Sequence, residues 1–186
     1  MRRFITIPRV FAACFSTITA ALVCMTGLPC ADDYRGKWRG HGNLGLAYQH
    51  QGRLVEAKEQ YQIAIAKNPS FAQAYLNLGT VLQIENRYLD AEAVYLRAAE
   101  CDPNLPAIYH DLGSLYVQMG RFEEAVTEFH KSISLGGYIA ESHNNAGYAL
   151  ANIGKHDEAI REFKAALVAN PQYWQAAANI KKLQNL

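Results

Sequence analysis

The sequence predicts an all-α protein built as an array of antiparallel helix pairs. Three observations predict it. Leu44-Gly45, Leu78-Gly79, Leu112-Gly113 and Ala146-Gly147 recur at one constant spacing. Within each unit, apolar side chains fall three and four positions apart, the spacing that gathers them on one face of a helix. The 186-residue chain holds only 6 prolines and 13 glycines, a scarcity that suits long helices with short connections.

Four units lie on this grid, over 38–71, 72–105, 106–139 and 140–173, followed by a closing helix over 174–186. Unit two shows the pattern: Ala74, Tyr75, Leu78, Val81 and Leu82 mark its first helix, and Ala91, Val94, Tyr95 and Ala98 its second. Gly52, Asn86, Gly120 and Gly154 stand between the helices of each unit, where a left-handed residue ends a helix at least cost. A basic residue follows each of them: Arg53, Arg87, Arg121 and Lys155. Asn68-Pro69, Asp102-Pro103 and Asn170-Pro171 stop the second helices, because proline cannot continue a helix and restricts the residue before it. Unit three carries Gly136-Gly137 instead, so that joint is expected to be softer.

The repeated glycines are expected to let the two helices of a unit approach closely, with Ala57, Ala91, Ala125 and Ala159 facing them. A helix pair of this kind cannot bury its apolar face alone and needs the next unit. The helix from Trp174 to Leu186, with Lys181 and Lys182 outward, is expected to cover the last apolar edge.

The segment 1–31 differs from the rest. Arg2, Arg3 and Arg9 precede an apolar run from Val10 to Leu28, then Gly27, Pro29 and Ala31, the layout of a secretory signal best cleaved after Ala31. The run is also nearly long enough to span a bilayer, so a retained anchor with its basic end in the cytoplasm is the rival reading, and lipid attachment at Cys30 a third. Cys14, Cys24 and Cys30 lie in or beside this segment; its removal leaves Cys101 alone, without an internal disulfide partner. Setting the three arginines aside leaves 15 of the 18 basic side chains against 17 acidic ones, a weakly acidic body that argues against nucleic acid as a partner.

Residue by residue, the grid resembles the tetratricopeptide repeat (TPR) family. Leu78-Gly79, Leu82, Ala91, Tyr95 and Pro103, with their counterparts in the other units, fall at the family's signature offsets over residues 38–171, without insertion or deletion. The resemblance implies a right-handed α-solenoid whose concave face is lined by the first helix of each unit. It places Asn43, Asn77, Asp111 and Asn145 in one row on that face, with Gln73, Thr80, His110, Asn144 and Tyr148 beside them. The row is similar to the asparagine ladder of the TPR part of O-linked sugar transferases, where amides grip the main chain of an extended peptide. A carboxamide offers a donor and an acceptor together, which matches a peptide unit. The basic residues with which some TPR domains clamp acidic chaperone tails are missing: Gly42, Ala107 and Asp111 stand there.

No catalytic motif appears: no phosphate loop, no Gly-x-Ser-x-Gly, no Cys-x-x-Cys and no His-x-x-x-His pair. The expectation is a non-enzymatic scaffold without cofactor or metal, secreted to the periplasm or anchored in the inner membrane. Its partner is another protein or peptide segment. The alternative is a chaperone-like holder of extended secreted chains.

Overall fold

The computed structural model describes residues 37–185, nine α-helices among them and no strand. These are α1 Lys37–His50, α2 Leu54–Lys67, α3 Ala72–Ile84, α4 Tyr88–Cys101, α5 Pro106–Gln118, α6 Phe122–Ser134, α7 Ile139–Asn152, α8 His156–Ala169 and α9 Trp174–Gln184. Successive helices pack as antiparallel pairs, α1 on α2 through α7 on α8, and each pair stacks on the next to form a right-handed α-solenoid. The segment 1–31, read as signal or anchor, lies outside the described residues. Among those residues no helix is long and apolar enough to cross a membrane.

The turns follow the expected chemistry. Gly52, Asn86, Gly120 and Gly154 all take positive φ, between 59° and 80°. After each, the next backbone N–H reaches back to close the helix: Arg53 to the Tyr48 carbonyl, Arg87 to Leu82, Arg121 to Tyr116 and Lys155 to Leu150. Three of these basic residues then pair with an acid three positions on, Arg53 with Glu56, Arg87 with Asp90 and Arg121 with Glu124. They thereby hold a carboxylate at the positive end of the second helix. Asn68, Asp102 and Asn170 each accept a bond from the N–H two residues on, which fixes the turn around the following proline.

The core repeats with the units. Ala57, Tyr61 and Ala64 are fully buried, as are Ala91, Tyr95 and Ala98 in the next pair. The repeated glycines do face a close neighbour, first the aromatic ring of the second helix; at Gly147 the Ala159 carbonyl also comes within 3.1 Å of a Cβ. A Cβ on Gly45, Gly79, Gly113 or Gly147 would lie 2.4–2.7 Å from a ring atom of Tyr61, Tyr95, Phe129 or Phe163. The ring is pressed against bare backbone, so the glycine is required by the aromatic residue it faces.

The joint after unit three is tighter than its missing proline implied. A Cβ on Gly137 would lie 2.2 Å from Cβ of Pro106, and the Ser132 hydroxyl donates to the Gly137 carbonyl at 3.2 Å. Glycine is there because a side chain would not fit. Tyr138 then takes φ 51° to restart the chain as α7, and its ring stacks on His110 with centroids 4.6 Å apart.

Polar clamps cross the joints. Lys58 pairs with Glu85 at 2.7 Å. Glu92 receives both Arg121 at 2.8 Å and the Tyr116 hydroxyl at 2.9 Å. Glu162 receives His130 on one oxygen at 3.0 Å and His143 on the other at 2.7 Å, joining α6, α7 and α8. Cys101 is a free thiol resting 3.4 Å from the Pro69 carbonyl.

Candidate peptide-binding groove

Three clefts run in series along the first helices of the units. One lies between α3 and α5, lined by Thr80, Gln83, Ile84, Tyr95, Asp111, Ser114 and Gln118. The next lies between α5 and α7, where Ser114 and Gln118 recur with Val117, Phe129, Asn145 and Tyr148. The last, about 260 Å³, lies between α7 and α9 and is lined by Tyr148, Ala151, Asn152, His156, Phe163, Asn179, Lys182 and Leu183. Because neighbours share Ser114, Gln118 and Tyr148, the three form one groove. Tyr148, 48% exposed, is the ridge between the last two.

The asparagine row has a common geometry. From Asn77 onward, each residue sits beside the buried ring of the unit before it. Asn77 acts on the Tyr61 hydroxyl, whose pKa burial pushes up to about 12 while Asn77 opposes the rise. Asp111 stands by Tyr95, whose hydroxyl is raised by burial and then by that carboxylate. Asn145 shares a cleft with Phe129. Asn179 shares one with Phe163. Asn179 is a member that the sequence does not announce. It continues the row one repeat spacing beyond Asn145, but α9 carries no second helix and reads as a cap. α9 occupies the place of a fifth unit's first helix, with Ala176 fully buried against the unit before it. Asn43, at the other end, is exposed and has no preceding ring among the described residues.

The remaining residues divide. Gln73 donates to Asn77 Oδ1 at 2.9 Å and is exposed beside it. Thr80 donates to the Leu76 carbonyl at 3.1 Å and accepts from the Tyr95 hydroxyl at 3.4 Å. Tyr148 and Thr80 line the groove directly. His110 and Asn144 serve the joints instead. His110 Nδ1 lies 2.9 Å from the Ser142 hydroxyl, and burial lowers its basicity. Asn144 is only 8% exposed, accepts from Asn179 Nδ2 at 3.0 Å and donates to Asn145 Oδ1 at 3.2 Å. It therefore holds the two amides that flank it.

The floor changes character along the groove. In the first two units the buried ring is tyrosine and its hydroxyl donates to a glutamine of the first helix: Tyr61 to Gln49 at 2.8 Å, Tyr95 to Gln83 at 2.9 Å. In the last two units the ring is Phe129 or Phe163, and Val117 or Ala151 stands in the glutamine's place. A polar floor thus gives way to an apolar one. Among the described residues no cluster of three His, Cys, Asp or Glu side chains could hold a metal ion.

The tetratricopeptide repeat family model matches residues 38–106 and 110–176. No curated protein sequence matches the chain. Among solved structures, PilF of Pseudomonas aeruginosa superposes with a TM-score of 0.74 at 24% identity, covering 78% of this chain and 67% of that one. A MamA structure gives 0.66 at 26% identity, covering 74% of each chain. YrrB, described as a TPR protein with an unusual peptide-binding site, gives 0.66 at 23% identity, covering 77% of this chain and 74% of that one.

Proposed function

The chain belongs to the tetratricopeptide repeat family, and from that premise we propose that it is a protein–protein interaction scaffold of the cell envelope. It holds an extended segment of a partner polypeptide in its concave groove. The observation that carries this reading is the row at one repeat spacing: Asp111, Asn145 and Asn179 line the continuous groove, each beside a buried ring, and Asn77 stands beside Tyr61 one unit before it. Asn145 and Asn179 make one internal bond each and Asn77 engages Gln73 and Tyr61; a carboxamide has two donors and two acceptor sites, so capacity is left for a peptide main chain. The envelope location is supported by the basic start and apolar run of the segment 1–31.

The test is calorimetric titration of a groove-binding peptide against Asn77→Ala, Asn145→Ala. Losing one amide–peptide bond removes roughly 0.5–1.5 kcal/mol, so the double change weakens binding by about 1–3 kcal/mol with helical content unchanged. Unchanged affinity in a folded double variant overturns the reading. Location is tested by fractionation with intact-mass measurement. The expected outcome is an exported chain lacking its first segment, or a full-length chain in the membrane; a soluble cytoplasmic protein retaining Met1 refutes it.

A further inference from the structure

Charge is nearly absent from the middle of the groove. α3 carries no acidic or basic side chain, and α5 carries only Asp111 besides His110, which is engaged with Ser142 and Tyr138. Asp111 lies in the cleft with Thr80, Gln83, Tyr95, Ser114 and Gln118, none of them a cation. Among the described residues no hydrogen bond or ion pair reaches its carboxylate. Burial alone acts on it, raising its pKa to about 6. The same row carries Asn at 77, 145 and 179. An amide there would avoid the cost of desolvating a charge, so the ionised carboxylate is held at a cost that a cation beside it would relieve.

We propose that Asp111 is the seat for a basic side chain, lysine or arginine, of the partner segment, and that an apolar side chain of the same segment enters the adjoining cleft at Val117, Phe129 and Tyr148. This deepens the groove reading and rests on it. The hydroxyls of Thr80 and Ser114 and the amide of Gln118 surround the seat with further partners for an ammonium or guanidinium group. The neighbouring floor carries no charge and offers an apolar ring, so it fixes the register of the segment by burying one side chain. A segment with an acid at this register is rejected, because two carboxylates would share a half-buried cleft.

The test uses a phage-displayed random dodecapeptide library selected on the immobilised full chain, on Asp111→Asn, on Asp111→Lys and on the double variant Asn77→Ala, Asn145→Ala. Wild-type pools are expected to enrich lysine or arginine at one fixed separation from an apolar residue. A synthetic peptide from that pool should lose roughly 10–100-fold in affinity on Asp111→Asn, the scale of a hydrogen-bonded charge pair. Replacing its basic residue by glutamine should cost a similar factor on the wild type and little on Asp111→Asn. Selection on Asp111→Lys should turn the preference to acids. Asp111→Asn carries the residue that other units hold in this row, so its fold is secure even if the lysine variant fails. Peptides that need Asn77 and Asn145 but show no basic preference, or that bind Asp111→Asn equally well, overturn the seat alone. Peptides indifferent to Asn77 and Asn145 overturn the groove reading, and the seat with it.

Discussion

Gly79 and Tyr95 fit together so closely that a methyl group on Gly79 would lie 2.4 Å from Cε1 of the ring. The ring is fully buried and cannot retreat without opening the joint to α5. Gly79→Ala should therefore destabilise the chain by about 1–3 kcal/mol, the usual cost of overpacking. In an array each unit touches only its neighbours, so hydrogen exchange should report lost protection around α3 and α4 first. Uniform loss over all four units would contradict the repeat architecture.

The Tyr95–Gln83 bond gives a second prediction. Tyr95→Phe alone should cost roughly 0.5–1.5 kcal/mol by removing the hydroxyl from its glutamine. Adding Gln83→Val recreates the pairing found at Phe129 and Val117, and the double variant should recover part of that loss. Urea unfolding of the two single variants and the double closes the cycle. Strict additivity would show that ring and first-helix residue are independent.

A third concerns Asp111 and stability. Burial raises its pKa from 3.8 to about 6, so the folded chain binds the proton more tightly than the unfolded one. Stability should then fall as pH rises from 3.8 through 6 and level off above. Asp111→Asn should remove that fall and be more stable at pH 7 by about 1–3 kcal/mol, since each tenfold change in proton affinity is worth ~1.4 kcal/mol. Denaturant melts at acid and neutral pH measure both. A wild type that gains stability over this window would refute the assignment.

The clamp of His130 and His143 on Glu162 supplies a fourth. The bond to Glu162 raises the pKa of His130 above 6.5, so its contribution is full below that value and is lost as pH climbs through the raised one. Glu162 is pushed up by burial, but its two histidine bonds outweigh this and hold it below 4.5. Its contribution is present above 4.5 and lost as pH falls through the lowered value. The joint of units three and four should be tightest between about pH 4.5 and 6.5. Hydrogen exchange of α7 and α8 across pH should show the maximum, and Glu162→Gln should flatten it.

What the sequence made legible was whatever repeats. Leu78-Gly79, Tyr95 and Pro103 announce the helix pair because each recurs on the same grid. The chemistry that does not repeat was hidden. Gly137 looked like a loose joint because nothing in the spacing reveals that Pro106 crowds it. Asn144 and His110 looked like open groove positions; their partners Asn179 and Ser142 stand a whole unit further along the chain and meet them only across a joint. The α1 edge shows the same limit. Leu44 is 42% exposed, whereas its counterpart Leu112, with α3 and α4 before it, is buried.

The pairing of each row residue with the ring of the unit before it has an arithmetical consequence. Subsites are counted by the gaps between units, as panels are counted between fence posts. The four full units alone enclose three such gaps, and α9 is the extra post that closes a fourth, between Phe163 and Asn179. If the row holds a peptide as proposed, trimming the chain after Ala169 would leave every helix pair whole and still shorten the length of peptide gripped. Inserting one more unit would lengthen that grip by one step. On the proposed reading, the number of stacked units sets the span of the recognised segment, and the half-unit at the end sets where it stops.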